Sequence, residues 1–441
     1  MRTVGIAFLA MLLLAATVTG CGIGPRISET EALDKSDDRI TLTIMHNWTI
    51  QDGKAIAYRR IMDEFRRSHP NVVLEEAGLA TDGLKSKIRT LAAADEMPDL
   101  FVMWPYAMTG DFVRGDLIQP IDDFLNSRPE WKNGFIPHAF DDFTVDGRIY
   151  TVPMNLAPTS LIYYNQELFD RYALKVPTTW DELLTAVEAF NRHGIIPIAL
   201  GNKANWVAQS TIFSTIANRV TGTEWFLNAV NQTGASFEDP VFIDALSRIQ
   251  QLAQAHAFQT GFNSIDDNQM MQLYIDGKAA MFINGGWAVS NIVNNAPKEV
   301  LDHTHVTILP PIEGGKGEAR STSGVVGTGL GVNKKLTGAK KEAALDLLYA
   351  LSGPEGQKAT LDSSTLVSYN IEPDPAIAHP LFIELNQLIA GLQIHPVYDI
   401  SLSSAAAEVV NNGIQELLSG GSPEAIARKI QRAQAAAVNN G

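Results

Sequence analysis

Cysteine is almost missing from this chain. Its 441 residues hold one, Cys21, so no intrachain disulfide and no cysteine-ligated zinc site can form. Cations are scarce too: 34 Lys and Arg face 49 Asp and Glu, a formal net charge of -15. That balance argues against a nucleic-acid binder and against adsorption on anionic lipid, both of which depend on cationic contact with phosphate. Past residue 21 no stretch nears the roughly 18 uninterrupted apolar residues of a membrane span, so the body is expected to be soluble. Metalloprotease, P-loop and EF-hand signatures are missing, and no G-x-S-x-G supplies a hydrolase nucleophile. Residues 327–331 (GTGLG) lack dinucleotide spacing and open no clear helix.

Several weaker features read as ordinary structure. The acid pairs Glu75-Glu76, Asp122-Asp123, Asp141-Asp142 and Asp266-Asp267 are expected in solvated loops and helix starts rather than as a glycosidase's paired carboxylates. His303 and His305 lack further ligands and are expected on the surface. Tyr163 and Tyr164 face opposite ways if they lie on a strand, which fits core packing better than a phenolate iron site.

The N-terminus carries an export pattern. Arg2 precedes an apolar run and then small residues, as in a secretory signal, and Val18-Thr19-Gly20-Cys21 resembles the lipobox of bacterial lipoproteins. The expectation is a signal peptide over 1–20, lipid on Cys21, and a polar tether over 21–39 that holds the body off the membrane.

The body alternates strand and helix signals. Residues 40–45 (ITLTIM) are β-rich; Ala57, Ile61 and Phe65 recur at helical spacing; Val72 opens a second strand; Leu84, Ile88 and Leu91 mark another helix; and 100–103 (LFVM) form a third strand. This β-α-β-α-β order predicts a parallel sheet covered by helices, hence an α/β fold. The pattern restarts near residue 149. Thr179 and Glu182 predict a capping box, and Pro197 restricts the strand over 195–200 to a sheet edge or bulge. Further strands are expected over 280–283 and 306–309, an extended glycine-rich segment over 321–331, and a helical tail whose last helix is capped by Ser422 and begins at Pro423.

Aromatic residues make up only 8% of the chain, so the placement of its seven tryptophans is informative. Trp48 and Trp104 directly follow predicted strands, Trp206 comes shortly after another, and Trp287 follows AAMFINGG. In open α/β sheets the ligand crevice lies beyond the carboxyl ends of the strands. Each of the four also has a polar neighbour, Asn47, Tyr106, Asn202 and Asn284 respectively. Indole faces cover the apolar C–H face of a sugar ring, and amides take its hydroxyls.

Residues 146–190 (DGRIYTVPMNLAPTSLIYYNQELFDRYALKVPTTWDELLTAVEAF) carry the most specific resemblance, supported by 65–76, 97–104, 274–292, 306–315 and 419–431 in that order. The chain resembles the extracellular solute-binding proteins of bacterial ABC sugar importers, the maltose-binding-protein-like family. The resemblance implies a two-lobed type II periplasmic-binding-protein fold, each lobe a mixed sheet flanked by helices and joined by a hinge. Lobe I would be 40–151 plus 328–360, and lobe II 152–327 plus 361–437. It implies ligand contacts from Asn47, Trp48, Trp104, Asn155, Asn202, Trp206, Gly286, Trp287, Tyr398 and Asp399. It also implies no catalysis, no cofactor and no metal, with permease subunits as partners and a monomer lipid-anchored on the outer face of the cell membrane. Because few Lys or Arg are expected in the cleft, a neutral mono- or oligosaccharide is the favoured ligand. The alternatives are a same-fold binder of iron or peptide, or a secreted glycoside hydrolase.

Overall fold

The computed structural model describes residues 39–50 and 52–440; the signal peptide, lipidated Cys21 and nearly all of the tether lie outside the described residues. The described residues from 40 onward form one compact unit.

The first predicted strands and helices form where expected. Strand Ile40–His46 pairs in parallel with Val72–Gly78 and with Leu100–Met103. The helix between the first two, Gly53–Ser68, buries Ala57, Ile61 and Phe65 on one face. Asp52 caps it, accepting the Ala55 N–H at 2.8 Å. A fourth strand, Gly329–Val332, comes from far along the chain and adds antiparallel beside Leu100–Met103. Its glycines serve contact: a Cβ at Gly331 would lie 2.6 Å from the Phe101 ring.

A second four-stranded sheet runs in the order Thr304–Ile308, Leu161–Asn165, Ala279–Asn284, Ile196–Ala199. The strand holding Pro197 lies on its edge, where the missing N–H costs no ladder bond. A small third sheet joins Gln393–His395, Ser321–Val325 and Ala157–Pro158. Two large apolar cores result, one around the first sheet and one around Phe169, Phe190, Phe213 and Phe242. The molecule is a two-lobed α/β protein.

Two local expectations change. Thr179 caps helix Trp180–Arg192, accepting the Glu182 N–H at 3.2 Å, while Glu182 reaches back less to Thr179 than to the residue before it. Its carboxylate takes the Thr178 N–H and hydroxyl, at 2.8 and 2.7 Å, one residue further out. The complete capping box is at Asp266, which shares reciprocal bonds with Gln269. The stretch after Asp146-Gly147 forms a strand only over Arg148–Ile149.

Candidate binding cleft

Three chain segments run side by side beneath the cleft. Met154 N–H donates to the Thr328 carbonyl at 2.9 Å, and Leu156 N–H to Leu366 at 2.8 Å. Asn155 sits at this junction, its side-chain oxygen accepting the Thr328 N–H and hydroxyl at 3.3 and 3.2 Å. Above it opens a cavity with about 1140 Å³ of space, open solvent included, whose wall includes Asn47, Trp104, Asn155, Trp206, Trp287 and Asp399. Those six of the ten candidate residues are therefore brought together.

Each indole is positioned by its element's end. Trp104 follows the third strand, and its carbonyl accepts the Thr109 hydroxyl at 3.0 Å. Trp287 precedes helix Ala288–Asn295, and Trp206 opens the helical run that widens into a π-turn over Gln209–Phe213. Trp206 and Trp287 are half-buried and lie 6.2 Å apart at 59°, forming two walls of a trough. Asn47 donates its amide to Thr81 at 3.1 Å.

The other four candidates do not line this cavity. Trp48 is packed inward: it stacks on His46 at 4.5 Å and meets the edge of Tyr58 at 4.7 Å. Its neighbour Asn47 takes the cavity-facing position as the chain leaves the strand. Asn202 is fully buried and both ends of its amide are used, the oxygen by the Ala208 N–H at 2.9 Å and the nitrogen on Asn263 at 2.7 Å. Gly286 binds the Pro158 carbonyl through its N–H and lies under Leu366. Tyr398 is buried among Phe213, Phe226 and Phe242.

Other wall residues escaped the sequence reading. Asp266 and Asp267 both stand at a helix start, as the sequence predicts, yet only Asp266 is the cap and Asp267 lines the cavity. Its carboxylate accepts the Asn284 amide at 2.8 Å, and burial, with Asp266 adjacent, raises its pKa to about 6. Ser210, Thr159 and Thr328 contribute to the wall, with Ser210's carbonyl accepting the Thr159 hydroxyl at 2.9 Å. The π-turn that presents Ser210 has no sequence signature, although such turns gather at functional sites. Lys85 and Lys54 also reach the cavity, so the wall is not free of cations. Lys85 lies 3.9 Å from Asp399, whose pKa burial raises and the Lys85 charge pulls back. Among the described residues no group of three His, Cys, Asp or Glu is arranged to hold a metal ion.

Two lobes around a cleft of indole faces, amides and hydroxyls make up a solute-capturing protein. The family model for bacterial extracellular solute-binding proteins matches residues 48–358, and the chain belongs to that family, whose members bind substrates and are not enzymes. A solved structure reported under xylan utilization by the thermophilic bacterium Caldanaerobius polysaccharolyticus is 30% identical, with a TM-score of 0.81 over 89% of this chain and 99% of that one. A chitin oligosaccharide binding protein superposes with a TM-score of 0.83 at 23% identity, covering 90% and 99% of the two chains. The multiple sugar-binding protein of Streptococcus mutans is 24% identical over 67% of this chain. That match spans 66% of the relative's own length, and matches to other curated relatives span 46 to 62%.

Proposed function

We propose that the protein captures a neutral mono- or oligosaccharide in this cleft and delivers it to the permease of an ABC importer, as a monomer anchored through lipid on Cys21. The observation that carries the reading is the convergence of Trp104, Trp206 and Trp287, from three distant segments, on one cavity that also offers amide and hydroxyl groups. Stacked rings and directed hydrogen bonds together suffice for micromolar affinity, about 8 kcal/mol. The charges on the wall are of both signs, and three are already engaged: Asp52 by its helix, Asp267 by Asn284, and Asp399 by Lys85. That arrangement suits a neutral ligand better than an ionic one. The similar proteins include a multiple sugar-binding protein and a chitin oligosaccharide binding protein, which supports the same class.

We further propose lobe I as residues 40–151 plus 328–360 and lobe II as 152–327 plus 361–437. In support, every strand of the first sheet falls in the first set, and every strand of the second four-stranded sheet and of the small third sheet in the second. A ligand touching both lobes would favour the closed form through its greater affinity for it. Calorimetry across xylo-, chito-, malto- and cello-oligosaccharides should show heat at micromolar to low-millimolar concentration. Silence across the panel at 5 mM would overturn the sugar assignment.

Asp267 gives a prediction of its own. Its carboxyl ionises less readily folded than unfolded, so the group costs stability as pH rises from about 4 to about 6, and the cost is complete above that. As a carboxylate it is the stronger acceptor for ligand hydroxyls. Asp267→Asn should therefore leave the melting midpoint at pH 7.5 unchanged or higher, yet weaken sugar binding by about 1–2 kcal/mol. Wild-type affinity should fall between pH 7.5 and pH 5. Titrations at both pH values check this; equal affinities with the variant unimpaired would remove Asp267 from the site.

A further inference from the structure

The central cavity does not end at Trp104. Two outer grooves adjoin it, one running past Ala107 and Ser404 and the other past Asp82 and Glu408, the latter with about 1000 Å³ of space open to solvent. Two residues line all three spaces, Lys85 and Asp399. Lys85 projects from helix Thr81–Ala93, beside the first sheet, and Asp399 from the short helix Tyr398–Ser401 in the tail, 314 positions later in the chain (399 less 85).

The pair is loose, at 3.9 Å, with Lys85's side chain 22% exposed and that of Asp399 5%. At the same time the Lys85 ammonium lies 4.9 Å from the centre of the Trp104 ring. The cation thus covers the indole face on which a sugar ring would stack and stands at the junction of cavity and grooves. A flexible four-carbon stem lets the ammonium swing away without moving the backbone.

We propose that Lys85, held by Asp399, is a movable stop that caps Trp104 and sets how many sugar rings the cleft accepts. Chains short enough to remain over Trp206 and Trp287 leave the stop in place, whereas longer ones must displace it to reach Trp104 and the groove past Ala107 and Ser404, which Trp104 also lines. The inference rests on the sugar-binding reading and adds to it the residue that determines ligand length.

The test uses the full chain in two measurements. In the first, linear xylo-, chito-, malto- and cello-oligosaccharides of one to six rings are titrated into wild type and Lys85→Ala. Wild-type affinity should level off at some length, and the variant should keep gaining through at least one further ring, about fivefold for a newly stacked ring. Asp399→Asn should shift the profile the same way by less. Identical length profiles in wild type and Lys85→Ala overturn the proposal. In the second, ligand-free protein carries 5-fluorotryptophan, with the Trp104 resonance assigned by its loss in Trp104→Phe. Lys85→Ala should move that resonance and increase its relaxation by a neutral paramagnetic solute. If no oligosaccharide binds wild type, the sugar reading fails and the length-setting role falls with it; if oligosaccharides bind but the resonance and the length profile are both unchanged in Lys85→Ala, the stop alone is overturned.

Discussion

Replacing Trp206 and Trp287 together by alanine is expected to remove most of the sugar affinity, about 2–4 kcal/mol or roughly 30- to 1000-fold, while the melting midpoint barely moves. Both rings are half-buried and line the cavity as a tilted pair 6.2 Å apart. Their apolar area remains partly wet in the free protein, so truncation removes little of the burial that stabilises folding, whereas a bound sugar would lose two stacking faces. Trp131 supplies the contrast. It is fully buried, and its indole N–H donates to the Ser352 carbonyl at 2.9 Å. Trp131→Ala should cost about 3–5 kcal/mol of stability through the cavity it leaves. Calorimetric titration and thermal melts of the two variants read the two quantities separately. If the double variant melts far below wild type while retaining affinity, the trough is a piece of core and the cleft assignment is wrong.

Gly327→Ala should damage stability and binding together. Gly327 has φ +122, a region that side-chain-bearing residues rarely occupy, and a Cβ there would lie 1.6 Å from the Asn155 carbonyl oxygen. Backbone contact that close cannot be relieved by a rotamer change, so the segments around 155 and 327 must separate. Strain alone is worth about 1–3 kcal/mol, and the forced displacement should bring the loss to 3 kcal/mol or more. Asn155 and Thr328, which bond each other and both line the cavity, would move with it. Gly147→Ala isolates the conformational part, because Gly147 has φ +75 but nothing within 4 Å of an added Cβ. Denaturant unfolding should therefore show a markedly larger loss for Gly327→Ala, and titration should show reduced affinity only there. Equal losses at the two positions would mean that the close approach of the two segments carries no energetic weight.

Much of this molecule could be read from its residues because the relevant forces act locally. Apolar periodicity over residues 54–67 and 183–190, the caps at Thr179 and Ser422, and the chain-breaking Pro197 each act within a few positions, and the elements form accordingly. The order of those elements determined the α/β class. Tertiary structure decided which polar and aromatic side chains face the cleft. Asn47 and Trp48 are neighbours, yet one reaches the cavity and the other lies against Tyr58, since the turn out of a strand sends successive side chains apart. Asn202 had the right type and place but used its hydrogen bonds locally, and Asp267 had no local mark separating it from the capping residue before it. Lys85 and Asp399 meet only when segments far apart in the chain fold together. A side chain's chemistry and its preference for helix or strand are written one residue at a time, whereas its partners are fixed by the three-dimensional path of the whole chain.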